Sequence, residues 1–214
     1  MYPMVKRVID CIGAVFLLVL LLPMVLVVSL LVLLDGTGGG VFATHPLRVG
    51  ISGKPFKMYK FRTMIPNAHR IDIEKVSLPP AIRDICKQNK KIPWRHDPRV
   101  TTVGRLLRLC DIDEIPQLVN VIFGHMSLVG PRPYLKKEIQ DITRKNNEQV
   151  RSFETILSVR PGMTGLWQVS GRNDIPFIER IELDVNYVNN MSFFRDVKII
   201  LKTPTVLITR NGAW

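Results

Sequence analysis

The 214-residue sequence predicts a mainly helical α/β domain that is attached to a membrane segment at its N-terminus. Three observations predict this fold class: residues 11–34 carry no charge, amphipathic helical patterns fill much of the later chain, and loops rich in Gly and Pro separate these patterns. The content of 46% hydrophobic residues excludes a disordered chain, and Gly and Pro without a period exclude a collagen-like one.

The uncharged stretch is long enough to be a membrane helix, since a straight helix over residues 11–34 would reach about 36 Å and a bilayer core is about 30 Å thick. Pro23 lies near its middle, where it bends or breaks a helix into halves of about 17 Å. Basic residues flank both ends, so the positive-inside rule favours neither orientation. A re-entrant hairpin that turns at Pro23 and leaves on the face it entered fits both features, and a kinked single-pass anchor remains the alternative.

The formal net charge of +12 favours an anionic partner such as a phosphate-rich small molecule, a nucleic acid or an anionic membrane surface. The first 70 residues contain eight basic and two acidic side chains, so the excess is greatest beside the apolar stretch. This distribution predicts a domain pressed onto anionic lipid. Aromatic residues do not alternate with the basic ones as a base-stacking surface requires, so no nucleic-acid partner is expected. The three cysteines have neither disulfide-framework nor zinc-site spacing, which fits a reducing compartment.

The remaining elements follow from local patterns, in chain order. After a glycine-rich exit from the membrane segment, the sequence predicts a strand or interfacial ribbon, a polar insertion, a short amphipathic helix with Arg105 and Arg108 on its polar side, a helix that begins near residue 112, a long solvated helix and two further amphipathic helices. We expect Ile178, Ile181 and Val185 to share the buried face of the first of these two. The glycine-rich exit covers residues 36–40, the strand or ribbon 56–64, the polar insertion 65–98 and the short amphipathic helix 99–109. The long solvated helix covers 134–157, and the two further amphipathic helices cover 176–190 and 193–210.

The sequence Asp111-Ile112-Asp113-Glu114 has two interpretations. Asp111 followed three residues later by Glu114 fits a capping box at a helix N-terminus. This explanation leaves Asp113 without a role. A carboxylate in the first helical turn, ionised by the helix dipole and with a divalent cation nearby, can act as a nucleophile towards phosphorus.

Basic side chains surround this motif in the sequence. Phosphoryl transfer depends mainly on positioning and on neutralising negative charge, and an arginine fork binds phosphate oxygens in pairs. The alternative is that several of these residues contact only lipid headgroups or solvent. The candidates are Lys60, Arg62, Arg99, Arg108, Arg132, Arg160 and Arg172.

Over nearly its whole length the chain resembles the bacterial sugar transferases, also called monotopic phosphoglycosyl transferases. Several long motifs occur in the family's order, and the WQVSGRN form is most similar to the undecaprenyl-phosphate galactose or glucose phosphotransferases. The motifs are KRVID (6–10), RVGISGKPFKMYKFRTM (48–64), DPRVTTVGRLLR (97–108), DEIPQLVNVIFGHMSLVGPRP (113–133), RPGMTGLWQVSGRN (160–173) and LDVNYV (183–188).

The resemblance implies transfer of a sugar 1-phosphate from a UDP-sugar to polyprenyl (undecaprenyl) phosphate through a covalent aspartyl-phosphosugar intermediate, with release of UMP. Asp113 matches the family's nucleophile, Glu114 matches its partner, and Mg²⁺ is expected near Asp113. Substrate-linked positions match Lys60, Arg108, Arg132 and Asp184, to which the sequence adds Arg62, Arg160 and Arg172 as binding candidates. Asp111 stands where family members usually carry a small hydroxyl residue, and because both types can cap a helix, we expect the cap to be kept.

These expectations define two domains and a location. Residues 1–40 are predicted to form the re-entrant helix and its exit loop, and residues 41–214 a compact cytoplasmic catalytic domain with amphipathic interfacial helices. The protein is expected at the bacterial inner membrane with this domain on the cytoplasmic face, contacting membrane lipids; a homodimer is left open, as are the sugar and the polysaccharide pathway. The competing hypothesis is a non-catalytic membrane scaffold that depends on neither UDP-sugar nor magnesium.

Overall fold

The computed structural model describes residues 2–71, 92, 94–144 and 146–209. Within these ranges the chain is mostly helical, with four short strands and several 3₁₀ turns. The α-helices are α1 (Tyr2–Leu33), α2 (Thr102–Leu109), α3 (Gln117–Ile122), α4 (Lys136–Thr143), α5 (Glu148–Ile156), α6 (Leu166–Ser170), α7 (Phe177–Asn189) and α8 (Phe193–Thr209). The strands are β1 (Arg48–Val49), β2 (Pro55–Phe56), β3 (Ser127–Val129) and β4 (Gly162–Thr164).

The strands form two small sheets. β1 pairs with β2 in antiparallel fashion, and β3 pairs with β4 in parallel, with Ser127 opposite Gly162. Gly162 is required here because a Cβ on it would lie 2.1 Å from the backbone nitrogen of Gly130. The predicted α/β class with a predominance of helix is therefore confirmed.

The described residues fall into two compact units, each assembled from separate stretches of chain. The first unit contains residues up to 22, residues 45–59 and residues from 116 onward. The second contains residues 23–44 and residues 60–115. The predicted boundary at residue 40 stays a prediction.

In the first unit, α5 and α7 pack against the segment that follows β3. Tyr134, Phe153 and Ile181 are buried together, and the Tyr134 and Phe153 rings meet edge to face at 5.2 Å. The predicted inward face of α7 is confirmed at Ile181 and is wrong at Ile178, which is 42% exposed. Phe177 packs against the cluster instead, because the buried face begins one residue earlier.

The core of the second unit joins the C-terminal half of α1 to α2. Val28, Val32, Phe61 and Leu107 form a buried cluster. The Thr101 side chain caps α2 by accepting a hydrogen bond from the Gly104 amide at 2.9 Å. The predicted helix within 99–109 is thus confirmed.

Helix α1 runs as one helix from Tyr2 to Leu33, with Pro23 inside it. It is long and apolar enough to cross a membrane, and most of its central side chains are exposed, Phe16, Val19 and Leu26 among them. An apolar helix with this exposure is not the core helix of a soluble protein, so we assign it to the membrane. The re-entrant turn at Pro23 stays a prediction.

Three expectations for the loops and helices need correction or qualification. The helix predicted over 134–157 is two helices, α4 and α5, with a break after Thr143. The ribbon predicted over 56–64 is strand only at its start, and later residues make the isolated bridges Phe42–Phe61 and Met64–Val100. Most of the predicted insertion at 65–98 lies outside the described residues.

Candidate active site

Asp113 lies in a 3₁₀ turn, Ile112–Glu114, that follows α2 directly. The backbone fixes this turn, because the Phe61 amide donates to the Asp113 carbonyl oxygen at 2.9 Å. Asp113 is only 7% exposed. The sequence prediction of a helical start near residue 112 is confirmed, although the helix proper, α3, begins only at Gln117, after Pro116.

The predicted capping box at Asp111 is wrong. Asp111 has a left-handed backbone conformation, with φ of 51°, and its side chain makes no capping hydrogen bond. A capping side chain reaches the amides of the first turn from an extended backbone, which this conformation does not provide. Asp is among the few residue types that adopt the left-handed region readily, which explains how an aspartate is accommodated at this position.

Lys60 lies beside both carboxylates of the Asp113-Glu114 pair. Its Nζ is 2.5 Å from Glu114 Oε1 and 4.0 Å from Asp113 Oδ2. Glu114 therefore holds the ammonium group in place, while the longer separation leaves the Asp113 carboxylate less compensated.

Arg108 extends from α2 towards the same carboxylate. Its Nε donates to Thr63 Oγ1 at 2.9 Å, and burial lowers the pKa of the guanidinium while attraction to Asp113 opposes that effect. The sequence placed Arg105 and Arg108 together on the polar side of the helix. Arg105 is exposed, whereas Arg108 is half-buried against Thr63.

The electrostatics of Asp113 differ from the prediction. Burial raises the pKa of Asp113 from 3.8 to about 6, against the opposing effect of Lys60, and the Glu114 charge adds to the increase. From the sequence, the helix dipole was predicted to favour the ionised form. A three-residue turn has few aligned peptide dipoles, so desolvation dominates. The resulting carboxylate is more basic than a solvated one.

Arg62 is used within the second unit to hold the end of α1. It is buried, and its guanidinium donates to the carbonyls of Val32 and Gly40 at 2.7 and 2.8 Å and to Asp35 Oδ1 at 3.1 Å. Thr37 accepts a further hydrogen bond. These contacts give Arg62 a structural role, and substrate binding by it stays a prediction.

Arg132 and Asp184 meet in the first unit. Asp184 Oδ2 accepts hydrogen bonds from the Arg132 amide at 3.0 Å and from the Tyr134 hydroxyl at 2.8 Å. Burial raises the pKa of Asp184 to about 7, although both hydrogen bonds oppose the increase. Asp184 is fully buried, so its contacts position the Pro131-Arg132-Pro133 loop from beneath.

The Arg132 side chain is held by groups that the sequence analysis did not single out. Its guanidinium carbon is 5.4 Å from the Trp167 ring centroid, and Glu138 accepts from it at 3.1 Å. Arg180 contacts the same Trp167 ring at 5.7 Å. The aromatic residue inside the glycine-rich RPGMTGLWQVSGRN loop was the signal that could have indicated this arrangement.

Of the remaining candidates, Arg99 pairs with Asp97 at 2.7 Å in the second unit, and Arg160 and Arg172 lie in the first. Arg160 Nε donates to the Gly124 carbonyl at 2.9 Å. Arg172 begins a 3₁₀ turn in the left-handed conformation, with φ of 55°. The structure thus brings Lys60, Arg108, Asp113 and Glu114 together, and separately joins Arg132 to Asp184.

The donor set around Asp113 fits Mg²⁺. The described residues contain no group of three or more Asp, Glu, His or Cys side chains of the kind that holds a metal by protein ligands alone. Protein-bound Mg²⁺ at phosphate substrates usually has one or two carboxylates and completes its octahedron with phosphate oxygens and water. The buried and under-compensated Asp113 carboxylate can be such a ligand.

The chain combines a membrane helix, a basic composition and a buried carboxylate flanked by cations. This combination is typical of a membrane-associated enzyme that acts on phosphorylated substrates. The chain belongs to the bacterial sugar transferase family, which matches residues 1–210. This confirms the family resemblance found in the sequence.

Individual relatives are similar over nearly the whole chain. The UDP-galactose-lipid carrier transferase of Erwinia amylovora is 38% identical over 98% of this chain, and the undecaprenyl-phosphate galactose phosphotransferase of Salmonella typhimurium is 37% identical over 98%. This chain spans 41% of the length of each. The exopolysaccharide production protein ExoY of Sinorhizobium fredii is 41% identical over 97% of this chain, which spans 87% of that protein.

Proposed function

We propose that this protein transfers a sugar 1-phosphate from a UDP-sugar to polyprenyl phosphate, with Asp113 as the nucleophile. The names of the Erwinia and Salmonella relatives specify a UDP-sugar donor and an undecaprenyl-phosphate acceptor, respectively. The name of the ExoY relative specifies exopolysaccharide production. The observation that carries the proposal is the buried Asp113 carboxylate beside Lys60 and Arg108.

The reaction has two displacements at one phosphorus atom. An Asp113 carboxylate oxygen attacks the phosphorus that bears the sugar, and the bond from that phosphorus to the bridging oxygen breaks, so that UMP leaves with the electron pair. A phosphate oxygen of the polyprenyl phosphate then attacks the same phosphorus, and the Asp113 carboxylate leaves. The products are UMP and a polyprenyl diphosphate sugar, and the enzyme is regenerated.

The second unit supplies the groups that this chemistry needs. A carboxylate with its pKa raised to about 6 is a stronger nucleophile than a solvated one and is still mostly ionised at neutral pH. Lys60 and Arg108 provide positive charge for the phosphate oxygens. Mg²⁺ held by Asp113 and the diphosphate would neutralise further negative charge when bound.

We assign Arg132 to the binding of a substrate phosphate as well. Its guanidinium carbon lies 5.4 Å from the Trp167 ring centroid and 5.7 Å from the Tyr134 ring centroid, and Asp184 fixes its backbone. A guanidinium fixed in this way loses little entropy when it binds an anion. Asp184 acts as a positioning residue for Arg132.

The decisive experiment compares Asp113→Asn with Asp111→Asn. The two substitutions remove the same charge two residues apart, and Asn is tolerated in the left-handed conformation of position 111. UMP release is measured with UDP-galactose, UDP-glucose and UDP-N-acetylglucosamine, with and without chelator. We expect Asp113→Asn to lose turnover and Asp111→Asn to retain it, and chelator to stop the reaction.

A second measurement detects the intermediate itself. Wild-type protein incubated with donor alone should yield a peptide containing Asp113 with the added mass of a sugar phosphate, and Asp113→Asn should not. Turnover by Asp113→Asn, or an unmodified peptide from protein shown to be active, contradicts the nucleophile assignment. A protein that binds lipid but releases UMP from none of the donors would support the scaffold hypothesis.

We also propose that α1 is re-entrant and that the rest of the chain lies on the cytoplasmic face of the inner membrane. The N-terminal end of α1 contacts downstream residues, because Arg7 donates to the Val121 and Ile122 carbonyls at 2.6 and 2.9 Å. The other end does so through Arg62 and the Val32 carbonyl.

These contacts support the proposed topology because each end of α1 is bound to a segment that follows it in the chain. Among the described residues, α1 alone is long and apolar enough to cross. Contacts with downstream residues at each end of α1 are what the re-entrant proposal expects, and they favour it over a single-pass helix.

The topology is tested with single cysteines at Met4 and Gly40 in a protein without its natural cysteines. Both positions are suitable, since Met4 is exposed and a side chain at Gly40 meets open space. A membrane-impermeant maleimide should label neither site in intact spheroplasts and label both after permeabilisation. Labelling of one site alone in intact spheroplasts would show a single-pass helix.

A further inference from the structure

Helix α8 has an apolar stripe that no part of the described chain covers. Phe194, Leu201 and Ile208 are 83%, 71% and 80% exposed and recur every seven residues, which places them on one face. The opposite side of the helix contains the buried Asp196 and Ile199. A helix with one face packed on protein and another apolar face exposed is typical of a membrane-surface helix.

A buried polar cluster ties α8 to the start of the membrane helix. Asp196 Oδ2 accepts hydrogen bonds from Lys6 Nζ and the Tyr2 hydroxyl, each at 2.5 Å. Asp196 Oδ1 accepts from the Tyr187 hydroxyl at 2.7 Å. Because α1 enters the lipid beyond Lys6, α8 lies at the membrane surface, and its exposed stripe faces lipid.

A cavity of about 450 Å³ lies between α6 and α8, beside this stripe. Its inner wall is apolar and its rim is basic, which is the composition expected for a lipid headgroup with the adjoining part of its chains. The lining residues are Leu166, Val169, Ser170, Phe194, Arg195, Lys198, Ile199 and Lys202.

The basic rim has positive charge in excess. Arg195 is held in place, since it donates to Asn186 Oδ1 and to the carbonyl of Asn190. Lys198 and Lys202 are exposed, one helical turn apart, and form no ion pair with a carboxylate of the described residues. Two such lysines at the membrane surface attract a phosphate diester.

We propose that the α6–α8 cavity binds the headgroup of an anionic membrane phospholipid, with Lys198 and Lys202 contacting its phosphate and the wall around Ile199 packing against the start of its acyl chains. This ligand is a structural lipid that is distinct from the polyprenyl phosphate substrate. The site lies entirely within the first unit, so its test is independent of the role of Asp113.

The test uses the full-length protein in neutral detergent, titrated with dioleoyl phosphatidylglycerol or dioleoyl phosphatidylcholine and examined by native mass spectrometry. Each surface lysine near an anionic headgroup contributes about 1 kcal/mol, or about fivefold in affinity. We therefore expect Lys198→Gln/Lys202→Gln to weaken phosphatidylglycerol binding by about 25-fold. Phosphatidylcholine binding should be weaker in the wild-type protein and change little in the variant.

Two further variants separate a defined site from general surface charge. Lys136→Gln/Lys137→Gln removes the same charge from exposed positions of α4 and should not change phosphatidylglycerol binding. Ser170→Trp fills the cavity without changing charge and should abolish the bound lipid. Equal losses in the two lysine pairs, or full binding by Ser170→Trp, would overturn the site.

A competition arm distinguishes the phospholipid from the acceptor. Undecaprenyl phosphate should not displace bound phosphatidylglycerol, and Lys198→Gln/Lys202→Gln should leave the KM for the acceptor within about twofold of wild type. Displacement together with a raised acceptor KM would assign the cavity to the acceptor and refute the structural-lipid proposal. Unchanged UMP release with lost lipid binding would support it.

Discussion

The substitution Asp113→Asn should stabilise the protein while it removes catalysis. Folding carries the Asp113 carboxyl from water, where its pKa is about 3.9, to a buried position where its pKa is about 6. Below about pH 3 the group is protonated in both states and contributes no difference. As pH rises from 3 to 6, the unfolded chain releases the proton more easily, so folding stability falls. The total loss is about 3 kcal/mol at about 1.36 kcal/mol per pKa unit.

Asparagine is nearly isosteric with the protonated acid and does not ionise, so the variant does not lose this folding stability as the pH rises. Thermal unfolding of detergent-solubilised protein with chelator, followed by tryptophan fluorescence, should show Asp113→Asn melting up to about 6–12 °C above wild type at pH 8. The difference should shrink as pH falls below 6 and disappear below about pH 3. Asp111→Asn is the matched control and should show a much smaller gain, because its effect on Asp113 is only one of several charge contributions. A lower melting temperature for Asp113→Asn at pH 8, or a gain that does not depend on pH, would refute the assigned electrostatics.

Three further substitutions test the groups that support the two units. Gly104→Ala should destabilise α2 and reduce UMP release strongly, because its Cβ would lie 2.0 Å from a backbone oxygen. Gly40→Ala is the control: its Cβ meets open space, and the variant should melt within about 1 °C of wild type. Arg62→Met should lower the free energy of unfolding by about 3–5 kcal/mol in a denaturant titration, because it leaves the Asp35 carboxylate buried without its cation. Neutralising Asp35 as well should restore part of the lost stability, and no restoration would argue against the ion pair. Tyr134→Phe removes a hydrogen bond to a buried carboxylate and should cost about 1–3 kcal/mol in the same assay, with an unchanged midpoint as the contrary result.

Elements with a regular pattern were predictable from the sequence. The amphipathic repeats predicted α7 and α8 close to their observed bounds. The uncharged stretch over 11–34 predicted the end of α1 to within one residue, but the helix begins nine residues earlier, at Tyr2. The error at Ile178 has a physical reason. The apolar face of a helix is wider than one row of side chains, and packing against Tyr134 buries the side of that face that includes Phe177 and leaves Ile178 exposed. The break after Thr143 has no Gly or Pro that would indicate it.

The roles of the basic residues were less accessible. Arg62 and Arg108 occur in similar apolar-basic contexts, yet one ties down the chain after α1 and the other lies near Asp113. Their sequence contexts make both arginines candidates to bind an anion. The fold decides whether each guanidinium contacts backbone carbonyls or a carboxylate instead. The prediction of a capping box failed for a related reason. The motif specifies only residue types, whereas the backbone conformation of Asp111 decides whether its side chain reaches the amides of the turn.

The first half of α1 is held against the rest of the chain by a buried polar cluster. Lys6 and Asp196 form a buried ion pair at 2.5 Å, and Asp196 also accepts hydrogen bonds from two tyrosine hydroxyls. A buried pair that is satisfied in this way is costly to separate, because either partner alone would be a buried unpaired charge. The pair therefore fixes the rotation of the first half of α1 relative to α8. The proline that removes a hydrogen bond from the middle of the helix allows its second half to follow the separate core around Val28 and Val32, so that each half is held by its own set of side chains.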